Sequence, residues 1–188
     1  RPLEFGADYV MASATKALSG HSDLLLGYVA GADLDGVRSA RGKLGTIAGP
    51  FEVWLAHRSL ATLDVRLERE CSNALRLAGA IGEQVPVRYP GLPGDPAHEI
   101  AKKQMNRFGP VLCFTLTDAR AADAFLASAE LVVEATSFGG TTTTAERRAR
   151  WGGDDVPEGY IRMSAGCDDP DALLKDVTRA LAQALGRA

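Results

Sequence analysis

One lysine lies among small and hydroxyl residues in the segment Ala12-Ser13-Ala14-Thr15-Lys16-Ala17-Leu18-Ser19-Gly20-His21-Ser22-Asp23. Small polar residues and glycine favour a turn in such a segment. A lysine amine becomes nucleophilic when it loses its proton, and its long flexible stem lets the nitrogen reach different carbons. Lysine is therefore the side chain that forms Schiff bases with aldehydes, and the segment predicts a covalent site at Lys16.

Two hydroxyl side chains flank Ala14 close to this lysine. Ser13 and Thr15 can donate hydrogen bonds to a phosphate, and in an extended segment the two positions share a face. An aldehyde that reacts with lysine and a phosphate that must be held are both features of pyridoxal phosphate (PLP), so the segment favours a PLP attachment site. The alternative is a small domain that binds phosphate noncovalently through Ser13 and Thr15, and it predicts no absorbance from a lysine–PLP bond.

The composition argues against several classes of protein. The 188 residues carry a formal net charge of −3, which argues against a nucleic-acid surface. No apolar run reaches the roughly 18 residues that span a bilayer, and the chain does not begin with a secretory leader, so we expect a cytoplasmic protein without membrane contact. The three cysteines are odd in number and widely spaced, and we expect buried reduced thiols rather than disulfides or a metal site.

Strand and helix patterns alternate along the chain and predict an α/β fold. The apolar run Leu24–Gly31 is typical of a strand buried on both faces, which places Lys16 on a connection between strands. From Pro50 to about Ala80, an apolar stripe predicts one long helix that bridges two domains. Further strands are predicted at 85–92, 111–116, 131–136 and 160–166, and further helices at 32–42, 95–108, 119–130 and from Pro170. We expect the basic run Glu146–Arg150 to be a solvated helix face.

Several segments resemble the cystathionine lyase and synthase family, the PLP enzymes of Cys and Met metabolism. The segments that carry the resemblance are Gly6–Asp23 around the lysine, Pro50–Arg66, Tyr89–Leu92 with the later His98 and Gln104-Met105, Ser137-Phe138-Gly139-Gly140, and Ile161-Arg162-Met163-Ser164-Ala165-Gly166 followed by Asp168-Asp169. The chain departs from the family pattern at Ser59, where glycine is usual, at Ala12 and Ala17, where tyrosine is frequent, and at Thr141–Thr144 and Trp151–Gly153. These departures do not identify a substrate.

The resemblance implies a fold type I PLP-dependent transferase and the carboxy-terminal half of a longer chain. Residues 1–60 are then the end of the large PLP-binding domain and the start of the linking helix, and residues 61–188 are the smaller carboxy-terminal α/β domain. By resemblance, Lys16 carries the cofactor as an aldimine, Ser13 and Thr15 hold its phosphate, and Ser137 orients the lysine or the substrate. A strand arginine alone is usually a surface residue, but the family match implies that Arg162 binds the substrate α-carboxylate.

The implied reaction is elimination or replacement at Cγ or Cβ of a sulfur amino acid, with Lys16 as the base. We favour a cystathionine γ-lyase or γ-synthase, with methionine γ-lyase, cystathionine β-lyase and O-acyl-homoserine sulfhydrylase as family alternatives. The resemblance also implies a homotetramer and predicts that these residues alone are inactive. A truncated, non-catalytic assembly module is the alternative from another class.

Overall fold

A computed structural model describes residues 1–187 of the chain. These residues form two compact units, the first from Arg1 to Leu63 and the second beginning at Asp64. Residues 1–187 include no helix that combines the length and the apolar character needed to cross a lipid bilayer. The fold is mixed α/β, as the alternating sequence pattern predicts.

The first unit contains one small sheet, one 3₁₀ helix and two α-helices. A 3₁₀ helix (Pro2–Phe5) precedes strand β1 (Tyr9–Ser13), which pairs antiparallel with β2 (Gly27–Gly31). Helices α1 (Asp35–Leu44) and α2 (Pro50–Leu60) follow. Lys16 lies on the connection between β1 and β2, which confirms that prediction.

The expectation that β2 is buried on both faces is wrong. The strand begins only at Gly27, and β1 is its one neighbour in the described residues. Leu24 is buried, but Leu25 is 84% exposed and the side chains of Tyr28 and Val29 are also exposed. A two-stranded antiparallel sheet does not need both faces covered, so the apolar run overestimated the burial.

The predicted long helix is interrupted at Ala61 and Thr62. Helix α2 ends at Leu60 and α3 (Leu63–Gly82) begins after a tight turn, in which Thr62 N donates to Ser59 O at 3.2 Å. The Thr62 hydroxyl donates to the same carbonyl at 3.3 Å. A threonine hydroxyl that binds a nearby carbonyl offers the backbone an alternative to the helical ladder, and the apolar stripe does not reveal this competition.

The second unit is built on a five-stranded sheet. Its strands are β3 (Val87–Arg88), β4 (Val111–Thr115), β5 (Val133–Glu134), β6 (Thr144–Arg147) and β7 (Tyr160–Ser164), in the spatial order β3-β4-β7-β6-β5. Among the strands of the described residues 1–187, only β5 and β6 pair in parallel. The remaining helices are α4 (His98–Gln104), α5 (Ala119–Ser128) and α6 (Pro170–Ala184).

The core of the second unit covers one face of this sheet. The strands contribute alternate side chains, including Leu112, Phe114, Ile161 and Met163, to a buried cluster with Phe125 of α5. Helices α3 and α6 add apolar stripes, and in α6 the predicted positions Leu173, Val177 and Leu181 are buried. Burying alternate residues of a strand turns the intervening ones to the opposite face, and Arg162 lies on that polar face.

The segment 144–151 corrects the prediction of a solvated helix face. Residues Thr144–Arg147 form β6, and Arg148–Trp151 form a 3₁₀ helix. Glu146 is only 2% exposed. Three other elements are much shorter than predicted, namely β3, α4 and β5, whereas β4, α5 and β7 differ from their predicted ranges by only one or two residues. The cysteines Cys71, Cys113 and Cys167 are free thiols and each is half-buried.

Candidate active site

The residues from Ala14 to Ser19 form a turn that is hydrogen-bonded to Leu26, the residue immediately before β2. The backbone N–H groups of Ala14 and Thr15 both donate to Leu26 O, at 2.7 and 3.2 Å. In return, Leu26 N donates to the Thr15 hydroxyl at 3.0 Å. Ser19 N donates to Ala14 O at 3.0 Å and closes the turn. The half-buried Lys16 is therefore carried on an ordered backbone.

Ser13 and Thr15 have different surroundings, and the expectation that they share the face of an extended segment is wrong. Strand β1 ends at Ser13, so its alternation does not continue to Thr15 in the turn. Ser13 is exposed, and its hydroxyl has no hydrogen-bond partner in residues 1–187. The Thr15 hydroxyl accepts from Leu26 N and donates to Leu26 O at 3.4 Å. That donor contact is long and weak, so its proton can be redirected.

Gly20 and Ser22, which follow the turn, adopt left-handed backbone conformations. Gly20 has φ 70° and its N–H donates to Lys16 O at 2.8 Å. Ser22 has φ 56° and is the one non-glycine residue with positive φ in the described part of the chain. A side chain in this region costs about 1–2 kcal/mol, and such strain concentrates at functional sites.

His21 joins this turn to α2 within the first unit. Its Nδ1 lies 2.5 Å from Ser19 O and 3.4 Å from the Ser59 hydroxyl. Because a carbonyl oxygen only accepts, Nδ1 carries the proton in the bond to Ser19. Ser59 is buried. Sequence reasoning noted both residues but not their contact, because they are 38 positions apart.

Arg162 lies at the centre of the polar face of the five-stranded sheet, in the second unit. It stands opposite Cys113 of β4 and Glu146 of β6. Its Nη2 donates to Glu146 Oε1 and, at 2.6 Å, to Thr136 O. Its guanidinium lies over the Phe138 ring, 5.0 Å from the ring centroid. The guanidinium is therefore held by three partners.

The turn Ser137–Gly140 is fixed to the strand that carries Arg162. Gly139 has φ 73°, and its N–H donates to the buried Ser164 hydroxyl at 2.9 Å. Ser137 is half-buried, and its carbonyl accepts from the Thr144 hydroxyl at 2.9 Å. The Ile-Arg-x-Ser-x-Gly motif therefore places Arg162 and also orients the turn that contains Ser137.

Cys113 and Tyr160 are polar neighbours of Arg162 on the same face. Burial raises the pKa of the Cys113 thiol and raises the pKa of Tyr160 to about 12. Both side chains therefore stay neutral near pH 7. The positive charge around these two neutral side chains comes from the guanidinium groups of Arg162 and Arg88, which lie on either side of Cys113 in the sheet.

Solved structures define the class to which this architecture belongs. The crystal structure of metB from Corynebacterium glutamicum matches 97% of this chain with a TM-score of 0.91 and 36% identity, over 51% of its own length. The apo structure of CalE6, a methionine gamma lyase from Micromonospora echinospora, matches 96% of the chain with a TM-score of 0.88 and 34% identity, over 51% of its length. The fold is consistent with part of a fold type I PLP-dependent enzyme.

The chain belongs to the Cys/Met metabolism PLP-dependent enzyme family, whose sequence profile matches residues 1–182. A candidate cystathionine gamma-lyase of Streptomyces coelicolor is 56% identical over 187 residues, which are 96% of this chain and 48% of that protein. The cystathionine gamma-lyase of Mus musculus is 37% identical over 96% of this chain and 50% of its own length. The chain thus spans about half the length of these curated relatives.

The residues of the lysine turn fit the cofactor of this family. Lys16 supplies a primary amine for the aldehyde, and the exposed Ser13 hydroxyl is available to a phosphate oxygen. The Thr15 hydroxyl can keep its bond from Leu26 N and turn its proton from Leu26 O to the phosphate. The donor set is therefore compatible with PLP.

Proposed function

We propose that the chain contributes to a PLP-dependent enzyme of sulfur amino-acid metabolism, of the cystathionine γ-lyase or γ-synthase type. The observation that carries this proposal is the lysine turn, in which Lys16 follows the free hydroxyl of Ser13 on a backbone attached to Leu26. The family membership of the chain and the names of its relatives support the same reaction class.

Lys16 is proposed as the cofactor lysine and the catalytic base. When bound, PLP withdraws electrons from the substrate Cα and makes its proton removable. The Lys16 amine would take that proton and deliver it to the cofactor, which frees the amine to take a proton from Cβ and so prepares the departure or replacement of the group on Cγ. Ser13 and Thr15 hold the phosphate by their hydroxyls. The turn fixes the backbone of Lys16, from which the flexible side chain extends.

Arg162 is proposed to bind the α-carboxylate of the amino-acid substrate. Both of its hydrogen bonds in the described residues use Nη2, so the hydrogens on Nε and Nη1 are available to a ligand. Ser137, on the turn that Ser164 orients, is proposed to position the lysine or the substrate. The hydrogen bonds between the Arg162 guanidinium and a carboxylate are charge-assisted. Such bonds are about twice as strong as neutral ones, which suits a residue that anchors the substrate.

The attachment of the cofactor can be tested on the complete protein. We expect an absorbance band near the visible edge after addition of PLP, which borohydride removes while fixing the cofactor to the Lys16 peptide. Lys16→Arg should abolish the band. Lys43→Arg, at an exposed lysine of α1, is the matched control and should keep it. An adduct on another lysine, or no band at all, would refute the assignment and favour a non-catalytic module.

The substrate is tested by a screen for release of ammonia, keto acid and thiol. L-Cystathionine, L-methionine and O-acyl-homoserine separate the proposed γ-lyase or γ-synthase from methionine γ-lyase and sulfhydrylase activities. Relatives named L-methionine gamma-lyase and cystathionine beta-lyase are 35% and 34% identical, so they keep these alternatives in the screen. Conversion of L-cystathionine to cysteine and 2-oxobutyrate, or formation of cystathionine from O-acyl-homoserine and cysteine, supports the proposal. Conversion of L-cystathionine to homocysteine and pyruvate would instead indicate the β-lyase.

The proposal extends to organisation, assembly and location. Residues 1–60 are proposed to end the PLP-binding domain and residues 61–188 to form the carboxy-terminal domain, a reading supported by the division of the structure at Leu63. We propose a cytoplasmic homotetramer, and the exposed apolar side chains Phe51 and Trp54 on α2 support an association surface. Light scattering of the purified complete protein tests the tetramer.

A further inference from the structure

Glu146 is a buried carboxylate on the polar face of the sheet. It lies on β6 directly opposite Arg162 of β7, and only 2% of it is exposed. A carboxylate removed from water is costly unless charged or hydrogen-bonding partners compensate it. The sequence suggested a solvated position, so the burial of Glu146 calls for an explanation in terms of its partners.

Three donors converge on this carboxylate. Arg162 Nη2 and Arg148 Nη1 both donate to Oε1, the latter at 2.8 Å. Trp151 Nε1 donates to Oε2 at 2.8 Å. Both oxygens are therefore engaged, and the carboxylate is held by groups from β7 and from the 3₁₀ helix Arg148–Trp151. Glu146 cannot rotate without breaking at least one of these bonds.

The same contacts determine how Arg162 is presented. Glu146 Oε1 and Thr136 O accept from Nη2, which leaves the Nε and Nη1 hydrogens for another acceptor. Glu146 shares Oε1 between two guanidinium groups, and Arg148 has a second partner in Asp154, where its Nε donates at 2.7 Å. Glu146 therefore orients Arg162, but its negative charge is shared between Arg162 and Arg148 and does not fully neutralise either guanidinium. Arg162 can still attract an anion.

We propose that Glu146 is a positioning residue for Arg162 and sets the affinity of the site for the α-carboxylate of an amino acid. The inference rests on the proposed function, since it requires Arg162 to be the carboxylate anchor. Glu146 acts through Arg162 and does not touch the substrate. A purely structural role would lower stability without distinguishing a ligand with a carboxylate from one without.

The test compares glycine with glycinamide, which has the same amine but no carboxylate. Binding to the PLP-loaded complete protein is followed by the change in absorbance, and thermal unfolding of the cofactor-free variants is measured in parallel. Glu146→Gln keeps the shape and an acceptor for Trp151 but removes the charge. We expect its affinity for glycine to fall about tenfold or more. The affinity for glycinamide should stay within about twofold, and Glu146→Asp should recover part of the loss.

The matched control is Glu158→Gln, which removes an exposed carboxylate paired with Arg147 of the same strand at 2.9 Å. It should leave both affinities unchanged. Equal losses for glycine and glycinamide in Glu146→Gln, or no loss for either, would overturn the inference. Arg162→Gln distinguishes a failure of the role proposed for Arg162 from a failure of the role inferred for Glu146. If that variant keeps the preference for glycine, the role proposed for Arg162 fails. If it loses the preference and Glu146→Gln does not, only the inference fails.

Discussion

Asp168 holds Thr143 by two hydrogen bonds to one carboxylate oxygen. Thr143 N and the Thr143 hydroxyl donate to Asp168 Oδ2, at 3.0 and 2.5 Å. The Thr143 hydroxyl also accepts from Gly166 N at 2.9 Å. Thr143 is fully buried and immediately precedes β6. These hydrogen bonds therefore attach the start of β6 to the segment Gly166–Asp168, which follows β7.

Thr143→Val should destabilise the fold. The valine keeps the shape but leaves Gly166 N without its acceptor and removes one donor to Asp168. We expect a loss of about 2 kcal/mol in the free energy of unfolding, measured by urea denaturation. Thr178→Val is the control, since its hydroxyl only donates to carbonyls within α6. Equal losses in both variants would contradict the role assigned to Thr143.

Gly166→Ala should be more damaging than an alanine at an open glycine. A Cβ at Gly166 would meet Thr141 O and would lie 2.5 Å from both Thr142 C and Thr143 N, all backbone atoms that cannot move aside cheaply. We expect a loss of about 2 kcal/mol or more. At Gly153 an added Cβ meets no atom within 4 Å, so Gly153→Ala serves as the control. Urea denaturation of the two variants measures the difference.

Glu70 should make the stability of the fold depend on pH. Its side chain is fully buried in α3, and its Oε2 has no hydrogen-bond partner in the described residues. Burial raises the pKa of this carboxyl to about 7 from 4.5, although Arg66 opposes the shift. The folded protein thus keeps a proton that the unfolded chain releases, and stability falls as the pH rises from about 4.5 to about 7.

Glu70→Gln should remove this dependence. The expected gain in the free energy of unfolding is about 3 kcal/mol at pH 8 and close to zero at pH 4. Urea denaturation at several pH values provides the measurement. Glu83→Gln, at an exposed position of the turn after α3, is the control. The same slope with pH in the Glu70→Gln variant and in the parent would refute the assignment.

Ser13 and Thr15 should respond differently to loss of their hydroxyls. Ser13→Ala removes an exposed group, so it should weaken PLP binding about tenfold and leave the thermal unfolding of the cofactor-free protein unchanged. Thr15→Val removes the acceptor for Leu26 N, so it should lower both PLP affinity and the unfolding midpoint. PLP titration and thermal unfolding measure the two effects. A lower unfolding midpoint in Ser13→Ala would contradict the difference in role.

The sequence predicted the elements whose signals are local. Strands β4 and β7 are rich in apolar residues, α6 begins at Pro170, and Lys16 lies among turn-forming residues, so each was found close to its observed place. The break at Ala61 was not found because it depends on the Thr62 hydroxyl rather than on apolar spacing. Glu146 was misassigned because its burial depends on donors from β7 and the neighbouring 3₁₀ helix.

The two edges of the five-stranded sheet are its shortest strands. Edge strand β3 has two residues and lies between Pro86 and Pro90, which have no N–H to offer another strand. Edge strand β5 also has two residues, and its Glu134 is paired with Arg150. An incoming strand from another molecule would find few unpaired backbone groups at either edge. The sheet is thereby protected against edge-to-edge aggregation, while its polar face can stay open around Arg162.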